Sequence, residues 1–474
     1  MALRIAHLAS EVVPFSKTGG LADVAGALPV AQAALGHHAI VIAPAHRTAL
    51  AALPPGAKAG EVEALGLKAA VYLHTYRKVE VVLLDCPLLY VRPAIYSLPD
   101  GDFPDNAVRF AFFARAALLA LRSLGGADIV HAHDWQAALA PLLLVEDEEL
   151  REVTPTPKTV LTIHNLAYQG VFPPWTMEAC GLPWRLFHTD CLEFYGQVNF
   201  LKGGLASADA VTTVSPTYAR EILTPEFGCR LEGVLGARKA ALSGIVNGLD
   251  PEVWDPANDP HLPEAYSVDS VVEGKAAARE ALAGETLLSA GERPLAGMVS
   301  RLAEQKGADL LAGAIDEIVA LGFDVVILGT GDRRFEELLQ TAELKHPGRV
   351  KLLLRFDEGL AHRIYAASDV FLMPSRYEPC GLGQMSAMRY GTLPVVHRTG
   401  GLADTVTDAG DEDGTGFVFA EPTSQALLAA MARARDVLAD PLRLAQMRRT
   451  AMTHDSSWTA SAKKYLALYQ KLLG

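Results

Sequence analysis

Short runs of aliphatic and β-branched residues recur along the whole chain, each followed by a longer stretch with helical periodicity. Examples are Ala39-Ile40-Val41-Ile42-Ala43, Val79 to Leu84, Ile129-Val130-His131, Val160 to Ile163 and Ala210 to Val214. In the second half, Leu295 to Val299, Val325 to Leu328, Val350 to Leu354 and Val370 to Met373 continue the pattern. Strands separated by helices imply right-handed βαβ units and parallel sheets. In such sheets ligands sit beyond the carboxyl ends of the strands, and most polar signals in this chain fall directly after strands. At 474 residues, half of them apolar, the chain is too long for one ordinary core. Two large domains, or one with insertions, are expected.

The hexapeptide Thr-Gly-Gly-Leu-Ala-Asp occurs twice, as Thr18 to Asp23 and as Thr399 to Asp404. The first follows Arg4 to Ala9 and the second follows Leu393 to Val396, so both read as strand, glycine turn, helix. Paired glycines permit close approach of a ligand, and the helix they open offers unpaired N–H groups to a phosphate or a hydroxyl. One such device per half implies a ligand held in a cleft between two similar domains. The first copy is the more specific, because Lys17 and Asp23 bracket Gly19 and Gly20. A Gly-Gly turn is also ordinary βα punctuation. The stretch Asn247-Gly248-Leu249-Asp250-Pro251 through Pro263 is rich in turn residues and reads as the linker. Domains are therefore expected at 1–246 and 247–455, with an amphipathic helix at 456–474 carrying Trp458, Tyr465 and Tyr469.

A formal charge of −13 disfavours nucleic acid and anionic membrane surfaces as partners. An anionic substrate would then need a local cationic clamp. Five scattered cysteines, Cys86, Cys180, Cys191, Cys229 and Cys380, show no CxxC spacing, which fits a reducing compartment without structural zinc. No apolar stretch approaches the roughly 18 residues of a membrane helix, and no signal-peptide core precedes the first polar loop. A cytoplasmic enzyme is expected.

Arg301 and Lys306 lie five residues apart just past the strand Leu295 to Val299 and could grip a diphosphate, or form a solvated charged loop. Glu378, beside Pro379 and ahead of Gly381 and Leu382, follows the strand ending at Met373. A carboxylate held there suits sugar hydroxyls, although it could instead cap the next helix. His131-Ala132-His133-Asp134 and His164-Asn165 each end a strand. His131 and His133 alternate on one strand face, but no third ligand is evident nearby, so no metal is expected. Asp100-Gly101-Asp102 and Asp411-Glu412-Asp413 look like ordinary acidic turns. Gly329-Thr330-Gly331 invites a dinucleotide reading that fails, since Arg334 stands where the third glycine belongs.

Lys17-Thr18-Gly19-Gly20-Leu21, Ser300-Arg301 with Lys306-Gly307, and Glu378-Pro379-Cys380-Gly381-Leu382 together resemble the bacterial glycogen synthase and plant starch synthase family. Ile163 to Gly170, Val198 to Gly204, Thr213 to Pro216 and Asn247 to Asp250 extend the resemblance over essentially the whole chain. It implies an α/β fold of two Rossmann-like domains facing across a deep cleft (GT-B type), with the last helix packing back toward the first domain. It implies retaining transfer of glucose from ADP-glucose to the non-reducing end of an α-1,4-glucan, without metal or cofactor. By this likeness Arg301 and Lys306 hold the diphosphate and Glu378 the transferred glucose. His164 is expected near the sugar 6-hydroxyl and reacting carbon, Lys17 with Gly19 and Gly20 near phosphates and glucose, and Asp23, Asp134, Asn165 and Asn247 in the surrounding polar shell. Glu11 matches an acceptor-side position. Two departures stand out. Gly383 and Ser386 occupy positions where close relatives usually carry threonine and tyrosine. The rival readings are a related transferase using UDP-glucose or a small sugar acceptor, and a sugar-nucleotide-binding protein without catalysis.

Overall fold

The computed structural model describes residues 2–53, 57–98, 101–151, 156–288 and 293–474. It divides into two compact units, Met1–Gly248 with Trp458–Gly474, and Leu249–Ser457. The apolar runs become strands in both. Buried on either face, they form parallel ladders covered by helices.

In the first unit a nine-stranded sheet runs Leu242–Gly244, Ala210–Thr213, Lys158–Ile163, Ile129–His133, Arg4–Leu8, His38–Pro44, Val79–Asp85, Leu67–Tyr76, Lys58–Ala64. All neighbours are parallel up to Val79–Asp85, and the last two strands add an antiparallel edge. The chain order reverses between Arg4–Leu8 and Ile129–His133. Such a switch point leaves a crevice where the loops after two adjacent strands diverge. The loop carrying Glu11 and Lys17 follows one of these strands, and Asp134 follows the other.

The second unit has a six-stranded parallel sheet, ordered Val350–Leu353, Asp324–Leu328, Leu295–Val299, Val370–Met373, Leu393–His397, Phe417–Phe419. Its switch point lies between Leu295–Val299 and Val370–Met373, whose following loops carry Arg301 with Lys306 and Glu378.

The helix Trp458–Leu473 closes the first unit. Trp458, Ala462, Tyr465, Leu466 and Tyr469 are buried against Leu3, Ile5, Val24 and Leu28. The turn-rich stretch after Asn247 packs, unlike a free connector: Trp254 stacks on His362 at 4.1 Å and Tyr266 is buried in the second unit's core. Proline and glycine there make the backbone irregular without removing the aromatic area that anchors it. No helix of the described residues is long and apolar enough to cross a membrane.

Candidate functional site

In the first unit the strand Arg4–Leu8 feeds a loop that returns to open the helix Gly20–Ala34. Glu11 accepts from the backbone N–H and hydroxyl of Thr18, the latter at 3.0 Å, and from Tyr96 Oη at 3.1 Å. Burial pushes the Glu11 carboxyl up, and these donors act against that shift. A carboxylate thus sits on the amides just ahead of the helix, where the dipole favours negative charge. Lys17 Nζ pairs with Asp23 at 2.7 Å, half exposed. Gly19 and Gly20 face open space, for a Cβ at either would meet nothing within 4 Å.

The second hexapeptide is used differently, which corrects the expectation of two equivalent anion sites. A Cβ at Gly400 would lie 1.9 Å from the Glu378 carbonyl oxygen, and one at Gly401 2.0 Å from that of Cys380. Gly401 N–H donates to the Glu378 carbonyl at 3.0 Å. These glycines let the backbone of the Glu378 loop pass close against the start of the helix Gly400–Thr405.

Four histidines gather under the first switch point. Parallel register pairs His7 with His131, so a third imidazole lies beside His131 and His133, contrary to the expectation that none was near. Their ligand nitrogens lie within 4.8 Å of one another. Each of the six ring nitrogens nevertheless has a partner. His7 binds His133 at 3.0 Å and Gln32 at 2.8 Å; His131 binds Tyr469 Oη at 2.7 Å and Thr162 Oγ1 at 2.5 Å; His133 also binds His164 at 3.0 Å. These three side chains could hold a metal only by exchanging those bonds for coordination. Burial lowers the pKa of His7 to about 4 and of His164 to about 3, and lowers His131 and His133 well below the ordinary value.

Asp134 has left-handed backbone, φ +55°, a conformation open to a short polar side chain. Its Oδ1 accepts the His164 N–H at 2.7 Å and so fixes the His164-Asn165 turn. Burial raises its pKa to about 7, against the hydrogen bonds from His164 and Asn165. Asn165 Oδ1 accepts the Ala167 N–H at 3.0 Å in a local turn. Asn247 is buried, and its Oδ1 has no partner among the described residues.

In the second unit Lys306 Nζ lies 2.6 Å from Glu378 Oε2, which also accepts from Ser375 Oγ at 3.1 Å. Arg301 is exposed, 3.3 Å from Gln305 Oε1. Glycines shape both loops. Gly307, φ +70°, lets the turn after Lys306 pass Pro374, whose carbonyl oxygen would be 2.1 Å from a Cβ. Gly329 and Gly331, which failed as a dinucleotide fingerprint, admit the backbone of Ser300 and Leu302 at 1.8 and 2.1 Å from their absent Cβ atoms. They brace the Arg301 loop, and Leu302 N–H donates to Thr330 O at 2.9 Å.

Leu382 precedes the helix Gly383–Arg389, and Gly381 has φ +73°. Gly383 has little room for a side chain. A Cβ there would meet Phe371 at 3.1 Å, Tyr365 Oη at 3.2 Å and Met373 Sδ at 3.4 Å, so the missing side chain points into the unit's own packing. Of the acidic turns, Asp411-Glu412-Asp413 is exposed, while Asp100 lies outside the described residues. His7, Gln32, Tyr96 and Ser375 escaped notice in the sequence. Only His7, polar within an apolar strand, carried a visible signal.

Residues 4–237 match the family model described as starch synthase catalytic domain, and residues 284–453 that of glycosyl transferases group 1. The chain is 49% identical to a glycogen synthase of Anaeromyxobacter dehalogenans (strain 2CP-C), over 99% of this chain and 100% of that protein. It is 48% identical to a glycogen synthase from strain 2CP-1 of that species, over 99% of each. Among solved structures it is similar to the catalytic domain of starch synthase IV from Arabidopsis thaliana bound to ADP and acarbose. There the TM-score is 0.90 and the identity 33%, covering 100% of this chain and 99% of that one.

Proposed function

The chain belongs to the glycogen synthase and starch synthase family, a family of retaining glycosyltransferases, and from that premise we propose how its residues divide the work. The substrates are ADP-glucose and the non-reducing end of an α-1,4-glucan. The observation that carries the reading is the contact between Lys306 and Glu378 at the second switch point, with Arg301 on the neighbouring loop. Lys306 has three donors and spends one on Glu378, leaving two for a phosphate. Glu378 keeps its other oxygen for sugar hydroxyls. A cation on the diphosphate and a carboxylate on the sugar, joined by one ion pair, place the bond to be broken beside both.

Negative charge grows on the departing ADP, and fixed cations aimed at it are the largest contribution such a site can make. Arg301 and Lys306 fill that role, while His164, Lys17 and the open amides of Gly19 and Gly20 attend the sugar and phosphates. Asp23, Asp134, Asn165 and Asn247 shape the polar surroundings, and Glu11 serves the acceptor side. The carboxylate paired with Lys306, Glu378, is held by that cation and by Ser375. A front-face route fits this arrangement: the leaving phosphate takes the acceptor's proton as the acceptor enters on the same side. Transfer of labelled glucose to a glucan primer, from ADP-glucose against UDP-glucose, tests the reading. A labelled polymer with ADP-glucose is expected. A small labelled product, or preference for UDP-glucose, would replace it with the rival transferase.

A further inference from the structure

His397 ends the strand Leu393–His397 in the second unit and is buried. Its Nδ1 lies 2.8 Å from the Ser375 carbonyl oxygen and its Nε2 3.1 Å from that of Ala420. A backbone carbonyl only accepts, so both ring nitrogens are called on to donate. A neutral imidazole has one N–H, and whichever nitrogen carries it, the other sets a lone pair against a carbonyl oxygen. Only the imidazolium, with a proton on each nitrogen, makes both bonds. Neither a change of tautomer nor a reversal of the bonds meets that demand, because neither partner can donate.

The Ser375 bond reaches the candidate site. The same peptide unit is held at its other end, where the Arg376 N–H donates to the Gln305 carbonyl at 2.9 Å, one residue before Lys306. The peptide between Ser375 and Arg376 is thus braced between the Lys306 loop and the strand end at His397. From it the Ser375 hydroxyl donates to Glu378 Oε2 at 3.1 Å, the oxygen that also meets Lys306 at 2.6 Å. The second bond of the ring, to Ala420, ties it to the loop after Phe417–Phe419, and the Phe419 ring lies 5.7 Å from it between centroids. Among the charged groups on the surrounding elements, Arg398 and Glu421 are exposed and Asp404 is half-buried. Arg376 is paired with Asp309, and Glu378 with Lys306. Tyr377 and Cys380 complete the titratable groups of the Glu378 loop.

We propose that His397 is a positioning residue that acts as the imidazolium, fixing the Ser375–Arg376 peptide so that the Ser375 hydroxyl holds Glu378 in place for the transferred sugar. Loss of either proton turns one bond into a repulsive contact, frees the ring to move and slackens the peptide that carries the hydroxyl. Histidine is the side chain that changes charge nearest neutrality, so the positioning is present while the ring is cationic and lost as pH rises. The coupling to Glu378 stands on the hydrogen bonds alone, whereas its effect on glucose transfer rests on the function proposed above.

The test is a pH titration by magnetic resonance of the full chain without ligand, with 15N-labelled histidine and carboxyl-13C-labelled glutamate. The His397 signals are identified by their absence in His397→Arg, or in His397→Gln should the first not fold, and the Glu378 signal by its absence in Glu378→Gln. In the wild type the Glu378 carboxyl signal should shift at the pH where the His397 ring loses its proton. In His397→Arg and His397→Gln, neither of which titrates there, that shift should be gone. A Glu378 signal unmoved through the His397 titration, or moving equally in the variants, overturns the proposal, as does a ring that stays neutral down to about pH 5. With ADP-glucose and a glucan primer, kcat should fall roughly two- to tenfold across the same step, as loss of one hydrogen bond allows, with KM little changed. His397→Arg, a donating cation throughout, should keep the higher kcat on the alkaline side, and His397→Gln should show the lower one at every pH. A kcat that is flat through the His397 titration overturns the positioning role. The Asp134 carboxyl titrates at about 7, so a step in kcat that survives in His397→Arg belongs there and removes His397 from the role. The expected Glu378 shift in a protein that transfers no glucose from ADP-glucose would sink the functional reading and leave the coupling standing.

Discussion

Gly19 of the first hexapeptide and Gly401 of the second should respond oppositely to a methyl group. Gly19→Ala meets open space in an extended backbone, so the unfolding midpoint in urea should move by less than about 0.5 kcal/mol equivalent. Gly401→Ala drives a Cβ against the backbone oxygen of Cys380 and should cost about 1–3 kcal/mol or more. The same measurement checks both. Lys306→Ala removes a cation aimed at the leaving group and should lower turnover by about 10²–10³-fold with circular dichroism unchanged. Glu378→Gln keeps the shape but loses the anion that Lys306 and Ser375 hold, and should be comparably damaging. Arg301, Lys306 and Glu378 were singled out in the sequence as charged residues directly after apolar strands, and the structure joins two of them in the Lys306–Glu378 ion pair. Gln32 and His7 were not. Their meaning depends on a register between strands more than a hundred residues apart, which no local pattern encodes.

Among the elements, the parallel strands were readable from continuous apolar runs, whereas the antiparallel edge Lys58–Ala64 with Leu67–Tyr76 was not. Half exposed and alternating, these two strands look like surface sequence until Val79–Asp85 pairs with them. The turn that starts at Asp134 gives a pH prediction. Its folded pKa near 7 lies above an unfolded value of about 3.9. Folding therefore favours the protonated form, and the stability it contributes is present below the unfolded value and lost as pH rises through about 7. Asp134→Asn keeps an acceptor for the His164 N–H and tolerates the left-handed backbone, so this loss should vanish. Urea midpoints at pH 5 and pH 8 in the two proteins should show the variant gaining on the wild type at the higher pH. For the helix Gly383–Arg389, Gly383→Thr should be destabilising by about 1 kcal/mol, because its side chain must displace Phe371, Tyr365 or Met373. The Michaelis constant for ADP-glucose should stay within a few-fold. A markedly lower constant would mean that this position faces the donor after all.

At the scale of the molecule, histidines held neutral by burial set the acid limit. His7, His131, His133 and His164 have depressed folded values, so the stability they contribute is present above about 6.5 and lost as pH falls below it. Unfolding at pH 5 should take up several protons, each steepening the curve by about 1.4 kcal/mol per pH unit, which calorimetry in buffers of different ionisation enthalpy would count. Turnover should survive excess EDTA, since no step proposed for this site passes through an ion; loss restored by magnesium or manganese would overturn that. The fragment 1–248 lacks Trp458, Tyr465, Leu466 and Tyr469, each worth roughly 1.5–3 kcal/mol of burial. Expressed alone it should be unstable or aggregate, and a peptide spanning 458–474 supplied in trans should raise its melting temperature. The contact between Gln32 and Tyr469 joins residues 437 positions apart. At ribosomal speeds of about 5–20 residues per second, a nascent Gln32 waits roughly 20 to 90 seconds before Tyr469 is made. Through that interval Leu3, Val24 and Leu28 lack the helix that completes their burial, so the growing polypeptide offers chaperones a defined apolar face, and any ribosome that stalls before Trp458 releases a protein whose first domain cannot be finished.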